Sequence, residues 1–162
     1  MIGRWLLGAC LILLCACASK APLPERSPHL TLPIQLHIVR EQAEQRQDWL
    51  LVIQQETSGL RWSMMDPLGI PVARQRLVDG AWQADGLLPP NPQARELFAA
   101  LLFALTPDAE LHSNYLAASV HADQRDLGKR WHIKYRQTQV FDLYMEQGLT
   151  YRVSPLTIEV SP

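Results

Sequence analysis

Cysteine is almost absent from this sequence, and charge is sparse. All three cysteines, Cys10, Cys15 and Cys17, lie within the first 17 of the 162 residues. This placement excludes a disulfide framework and a thiolate metal site from the rest of the chain. Charged residues make up 19% and the formal net charge is −1, so the sequence lacks the basic character of a nucleic-acid-binding protein. At roughly 100–200 residues per domain, the length predicts one domain, and we expect no nucleic-acid partner.

The motifs that commonly carry catalysis or metal binding are missing as well. The histidines show no His-Glu-x-x-His spacing, which argues against zinc; they are His29, His37, His112, His121 and His132. Ser113 lacks the flanking glycines of a nucleophile elbow, and the 8 glycines are scattered singly, not grouped in a phosphate-binding loop. Asp66 and Asp79 occur in turn sequences, where such side chains bond to nearby backbone groups. We therefore expect no enzyme, no metal and no cofactor.

The first 16 residues have the pattern of an export signal. Arg4 precedes an apolar run of about 12 residues that ends at Ala16, which is shorter than the roughly 20 needed to span a bilayer. Residues 14–17, Leu-Cys-Ala-Cys, resemble the bacterial lipobox, and this resemblance implies cleavage before Cys17 and its modification by palmitate or similar acyl chains. The same pattern at residues 7–10 would leave too short an apolar stretch. An ordinary signal peptide with incidental cysteines is the alternative.

The segment after Cys17 bears on localisation. The two residues after Cys17 are Ala18 and Ser19. An Asp directly after the cysteine would resemble an inner-membrane retention signal, and this sequence has none there. We therefore expect a lipid-anchored protein on the periplasmic face of the outer membrane of a Gram-negative bacterium. Several acyl chains on one residue suffice for stable anchoring. Residues 17–29 are rich in proline and polar residues, which predicts a tether. We expect a single folded domain over residues 30–162.

Period-two alternation predicts strands on both sides of a helical segment. Residues 30–38 alternate between apolar and polar side chains, and Pro33 favours an edge position for this strand. Apolar residues then recur at helical spacing over residues 92–105, after Asn91 and before Thr106-Pro107. Alternation returns from residue 131 onward, with a last strand expected over 156–160. The order predicts an α+β fold, mainly β, in which a curved antiparallel sheet forms a half-barrel covered by a central helix.

The order of several short motifs resembles two classes of lipoprotein. Pro67-Leu68-Gly69, Asp79-Gly80, the Leu-rich helix and Gly148-Leu149-Thr150-Tyr151 follow one another along the chain. This order resembles a Gram-negative lipoprotein family of unknown function found in aryl polyene biosynthesis clusters. It is also similar to the outer-membrane receptor of lipoprotein localisation, a half-barrel with a helical lid. The resemblance implies lipid or lipoprotein handling, and it places Met64-Met65 where that receptor uses an exposed apolar loop.

Large apolar side chains are the candidates for lining an acyl-binding cavity. They are Trp49, Leu51, Trp62, Met64, Phe98, Leu101, Leu102, Trp131 and Tyr135. The same residue types also fill a solid core, so the sequence leaves both interpretations open. A row of basic residues, Arg130, His132, Lys134 and Arg136, would either contact acidic head groups or form a solvated strand face.

The sequence thus leads to two hypotheses from different classes. The first is a non-enzymatic outer-membrane lipoprotein that binds a hydrophobic acyl or polyene chain, or a lipoprotein anchor, and assists its transfer to the outer membrane. The second is a structural or assembly accessory that docks a partner protein. In both we expect a monomer that meets the membrane through the anchor at Cys17.

Overall fold

The structure, a computed structural model, describes residues 20–86 and 88–156. The expected signal segment, Cys17 and most of the strand expected over 156–160 lie outside these residues. Among the described residues, no helix is both long and apolar enough to cross a bilayer.

Over the described residues, the fold is mainly β, with ten strands in one antiparallel sheet and two helices. The sheet is open, and its strand order is β5-β4-β3-β2-β1-β10-β9-β8-β7-β6. The strands are β1 (Ile34–Gln42), β2 (Gln45–Glu56), β3 (Gly59–Met65), β4 (Pro71–Val78), β5 (Ala81–Ala84), β6 (Ala118–His121), β7 (Gln124–Leu127), β8 (Trp131–Gln137), β9 (Val140–Met145) and β10 (Thr150–Pro155). The helices α1 (Pro92–Leu105) and α2 (Asp108–Asn114) join β5 to β6, and a 3-10 turn (Glu146–Gly148) joins β9 to β10. This architecture confirms the α+β class.

Strand β1 holds the two halves of the sheet together. It pairs with β2 on one side and with β10 on the other, so it lies at the centre of the sheet. The edge position expected from Pro33 is wrong, because Pro33 precedes the first paired residue, Ile34, and removes no ladder hydrogen bond. The alternation of the sequence is confirmed: Ile34, Leu36 and Ile38 are buried on one face.

Helix α1 has the bounds that the sequence predicts. The Asn91 side chain accepts a hydrogen bond from the Ala94 amide (3.0 Å), Pro92 occupies the first turn, and Thr106 is the C-cap. Residues 97–104 are all buried, so every side of the helix is covered. A helix that is apolar all round is expected only inside a folded domain.

Strands from both halves of the sheet contact α1. Trp62 of β3 packs on Phe98 with ring centroids 5.3 Å apart, and Trp131 of β8 packs on Phe103 with centroids 5.8 Å apart. Four strands separate β3 from β8. In a flat sheet the two would stand about 24 Å apart, about twice the width of a helix. The sheet must therefore curve for both strands to contact one helix.

Residues 20–33, here called the N-terminal strap, lie against the domain, although composition predicts a tether up to residue 29. The Arg26 amide donates to Asn114 Oδ1 (2.8 Å), and His29 Nδ1 lies 2.9 Å from Glu110 Oε1. Four apolar side chains of the strap pack against the core: Ala21, Leu23, Leu30 and Leu32. The composition of the N-terminal strap does not predict an ordered segment. Its order depends on hydrogen bonds to Asn114 and Glu110 of α2.

Candidate functional site

The direction of α1 distinguishes two ends of the domain. At the N-cap end lie the start of α1, the β1–β2 and β7–β8 turns and the β3–β4 loop. At the C-cap end lie the end of α1, the β6–β7 and β8–β9 turns and the start of β1. Cavities occur at both ends, and the middle of the domain is filled.

Six of the nine candidate lining residues form the filled middle. These six side chains are 1% exposed or less: Leu51, Trp62, Phe98, Leu101, Leu102 and Trp131. They pack against one another between the sheet and α1 in a single apolar cluster. A chain bound among them would have to displace α1.

Two further candidates, Trp49 and Met64, line a cavity of about 200 Å³ at the N-cap end. Gln47 and Tyr151 line it from the sheet, and Leu97 lines it from α1. Trp49 and Tyr151 also contact each other, with ring centroids 6.2 Å apart. The structure therefore combines apolar walls with polar groups at this end.

Arg40, which sequence reasoning missed, lies in the sheet between two of these lining residues. It pairs with Gln47 on β2 and with Tyr151 on β10, and directly opposed residues share a face. Its side chain is buried, with 8% of the residue exposed. The inward-facing row Ile34-Leu36-Ile38 of β1 continues to Arg40, so period-two counting would have placed this charge inside.

Tyr135, the ninth candidate, lines a cavity of about 470 Å³ at the C-cap end. Its hydroxyl donates to the Ala104 carbonyl (2.7 Å). Burial raises the pKa of Tyr135 to about 12, and the nearby Arg125 charge acts in the opposite direction. Ala104, Leu105 and Thr106 at the end of α1 line the same cavity.

Arg125 of β7 caps the C-terminal end of α1. Its Nη1 donates to the carbonyls of Phe103 (2.7 Å), Ala104 (3.2 Å) and Thr106 (2.8 Å), and its Nη2 donates to Asp108 Oδ1 (2.6 Å). The last turn of α1 has no basic residue of its own. A cation from the sheet thus satisfies carbonyls that the end of a helix leaves without partners. Sequence reasoning missed this residue because β6 and β7 were not predicted.

The exposed apolar loop lies beyond the expected Met64-Met65 pair. Met64 is buried within β3, whereas Leu68 is 85% exposed and Ile70 is 58% exposed in the β3–β4 loop. Asp66 Oδ1 accepts hydrogen bonds from the amides of both of these residues (2.9 Å each), as its predicted turn role requires. Leu116, just before β6, is 87% exposed.

Most of the expected basic row is paired with carboxylates. Glu96 of α1 accepts from Arg130 Nη2 (2.6 Å) and from the Trp131 indole (2.8 Å). Outside the helix, Asp126 lies 2.5 Å from the His132 ring, and Asp142 accepts from Arg136 Nη2 (2.6 Å). Lys134 is exposed to solvent. The row therefore presents less positive charge than its sequence indicates.

A scan against protein-family models gave no match, and a search of curated proteins gave none. Across residues 20–86 and 88–156, no group of three or more His, Asp, Glu or Cys residues is placed to hold a metal ion.

Proposed function

We propose that this chain is a non-enzymatic lipoprotein, anchored to the outer membrane through acylated Cys17, that holds an acyl or polyene chain, or a lipoprotein anchor, and assists its placement in the membrane. In this proposal the curved sheet is a half-barrel and α1 is its central helix. Contact of α1 with both halves of the sheet supports this arrangement.

The observation that carries the proposal is the distribution of exposed apolar side chains. Among residues 20–86 and 88–156, the three large apolar side chains with the greatest exposure are Leu68, Ile70 and Leu116. All three lie at the N-cap end, since the β3–β4 loop ends there and β6 begins there. The Lys20 carbonyl also lies there, 3.3 Å from Arg130 Nη1. Cys17 is three residues earlier, so at most about 11 Å of chain separates the anchor from this end.

This distribution gives the N-cap end the character of a membrane-facing surface. Scattered apolar side chains are common on protein surfaces, but a loop that exposes both Leu68 and Ile70 at the end of the domain where the described chain begins favours contact with a bilayer. The cavity lined by Trp49 and Met64 opens at the same end. A chain leaving the membrane would meet this cavity first.

The anchor and the bound chain are tested separately. Radioactive palmitate should label the wild-type protein in cells and should not label Cys17→Ser. Native mass spectrometry of protein purified from membranes should show a retained lipid. An unlabelled wild type would refute the anchor, and a protein without any adduct would count against chain binding.

The membrane-facing surface is tested on the Cys17→Ser background, which removes the anchor. Leu68→Asp with Ile70→Asp should reduce flotation of the full chain with phospholipid vesicles. The matched control is Val120→Asp, because Val120 is an exposed apolar residue, 43% accessible, that lines the C-cap cavity. Equal losses in both variants would contradict the assignment of the N-cap end.

The accessory role remains the second candidate because the middle of the domain is solid. Phe98, Leu101 and Leu102 are completely buried, so in the described part of the chain the middle of α1 lines no open channel. A protein that only docks a partner needs no such channel. Cross-linking in cells that captures one defined protein, with no lipid retained after purification, would favour this role.

A further inference from the structure

Arg40 is a buried cation without a carboxylate partner among residues 20–86 and 88–156. Only 8% of the residue is exposed. Its Nη2 donates to the amide oxygen of Gln42 (2.5 Å), a neutral group, and its Nε has no hydrogen-bond partner. Buried charges in proteins are normally paired, because an isolated charge in the interior is costly. The position of Arg40 therefore calls for an anion.

The nearby carboxylates do not supply one. Glu41 is the next residue along β1, so it faces the opposite side of the sheet, where Arg152 Nη2 lies 3.6 Å from its carboxylate. Glu96 accepts hydrogen bonds from Arg130 and from the Trp131 indole. Both carboxylates are thus engaged elsewhere.

A second unpartnered group lies beside Arg40. Tyr151 is fully buried and lines the N-cap cavity, and its hydroxyl has no hydrogen-bond partner. Burial raises the pKa of Tyr151 and the negative charge of Glu96 adds to the rise, whereas the Arg40 guanidinium acts against it, so both charged groups lie near the phenol. The phenol stays protonated at neutral pH and is available to donate. Tyr151 thus brings a buried hydroxyl without an acceptor to this cavity, and Arg40, whose Nε also lacks one, lies beside Tyr151 in the sheet.

The start of α1 adds to the preference for an anion. Asn91, Gln93 and Ala94 line the cavity, so the positive end of the helix dipole faces it. The first turn of α1 contains no acidic residue that would offset this end. An anion here would face the start of α1 and the Tyr151 side chain, with Arg40 on the strand beside Tyr151.

The remaining walls are apolar. Trp49, Met64 and Leu97 line the cavity with side chains that suit methylene groups. Its volume of about 200 Å³ is smaller than the roughly 300–1,000 Å³ that holds a whole drug-sized ligand, so it has room for a head group and the first carbons of a chain. One guanidinium matches the single charge of a carboxylate better than the greater charge of a phosphate monoester.

We propose that Arg40, the Tyr151 hydroxyl and the start of α1 bind the carboxylate of a long-chain amphiphile, whose first methylene groups contact Trp49, Met64 and Leu97. This inference rests on the proposed function and specifies its ligand class: an apolar chain that ends in a carboxylate. The rest of the chain lies outside the cavity at the N-cap end.

The test compares head groups on one chain length. The full chain, purified in a neutral detergent, is titrated by calorimetry with octanoate, octan-1-ol and octyl phosphate. We expect octanoate to bind at least about tenfold more tightly than octan-1-ol, because only the carboxylate accepts from the charged guanidinium. Octyl phosphate should bind more weakly than octanoate. Stronger binding of octyl phosphate would overturn the carboxylate assignment.

Substitutions locate the site. Arg40→Met should lower the affinity for octanoate at least about tenfold without changing the affinity for octan-1-ol. Arg40→Lys keeps a positive charge and should retain part of the affinity for octanoate. Tyr151→Phe, which removes one hydroxyl, should lower octanoate affinity roughly twofold to tenfold. Lys134→Met is the matched control, because it removes an equal charge from an exposed position. Octanoate binding by Arg40→Met at the wild-type level would overturn the proposal.

The outcome separates this inference from the proposed function. Lipid that co-purifies with both wild type and Arg40→Met, with no preference for octanoate over octan-1-ol, would refute the carboxylate site and leave the proposed function standing. Octanoate binding that depends on Arg40, in a protein that retains no membrane lipid, would support the site and count against the proposed function. If circular dichroism shows that Arg40→Met is poorly folded, the affinity of Tyr151→Phe for octanoate tests the site alone.

Discussion

Substitution of Arg125 should destabilise the domain far more than substitution of any exposed arginine. Arg125→Met removes the donor to the carbonyls of Phe103, Ala104 and Thr106, all of which are buried residues. Leaving the Phe103 and Thr106 carbonyls without this donor costs about 1–3 kcal/mol each, whereas the Ala104 carbonyl keeps the Tyr135 hydroxyl as a partner. Against a typical total of about 5–15 kcal/mol, this loss is a large part of the free energy of unfolding.

The contribution of Arg125 to the free energy of unfolding should come from its hydrogen bonds to the backbone carbonyls, not from its ion pair with Asp108. Asp108 lies 2.6 Å from Arg125, but its side chain is 86% exposed, and exposed ion pairs contribute about 0–1 kcal/mol. Asp108→Asn should therefore change the free energy of unfolding by less than about 1 kcal/mol. Arg125→Lys should recover only part of the loss, since one ammonium cannot reproduce the planar fork of a guanidinium.

Urea denaturation followed by circular dichroism measures these differences. Lys134→Ala, an exposed substitution on the adjacent strand, is the control and should lie within about 0.5 kcal/mol of wild type. The reasoning is refuted if Arg125→Met costs less than about 1 kcal/mol, or if Asp108→Asn costs as much as Arg125→Met.

Three further predictions concern other positions. Gly59→Ala should lower the free energy of unfolding by more than about 2 kcal/mol, because at the Gly59 φ of +145° the added Cβ would lie 2.1 Å from the Leu77 carbonyl oxygen. Gly80→Ala is the control, since nothing lies within 4 Å of its added Cβ, and in urea denaturation it should lower the free energy of unfolding by only about 1 kcal/mol. Because burial raises the pKa of Tyr135 to about 12, its neutral phenol stabilises the fold fully below pH 10, and this stabilisation is lost as the pH rises towards 12. Tyr135→Phe should therefore flatten the fall in melting temperature between pH 9 and pH 11, and an unchanged slope would contradict the assignment. Glu96→Ala should lower the free energy of unfolding by about 2 kcal/mol, since it leaves the Trp131 indole without its acceptor, whereas Glu96→Gln should cost less.

Local patterns predict the elements whose signals are local. The bounds of α1 follow from Asn91-Pro92 at its start and Thr106-Pro107 at its end, and the structure confirms both. Ser58-Gly59 is a turn sequence between two alternating runs, and β2 and β3 pair on either side of it. Cap residues and turn residues act through neighbouring backbone groups, so a single sequence contains the information.

Other features depend on partners that are distant in the chain. The N-terminal strap has no local tendency to order, and Asn114 and Glu110 hold it in place. In β7, Arg125 occupies an inward position where an apolar residue is expected, so alternation fails there. At the N-cap end, Arg40 likewise occupies an inward position of a strand where an apolar residue is expected. Sequence reasoning missed Arg125 because β7 was not predicted, and it missed Arg40 because a charged residue is not expected at an inward position of an alternating strand.

The central pairing of β1 with β10 has a consequence for when the chain acquires its structure. It joins residues more than 100 positions apart, such as Glu41 and Thr150. Synthesis of the amino-terminal strands alone cannot complete the sheet, and long-range pairing of this kind is slow to form. Until β10 has been made, β1 lacks its second neighbour, and the apolar faces of the strands already synthesised stay open to contact with other chains.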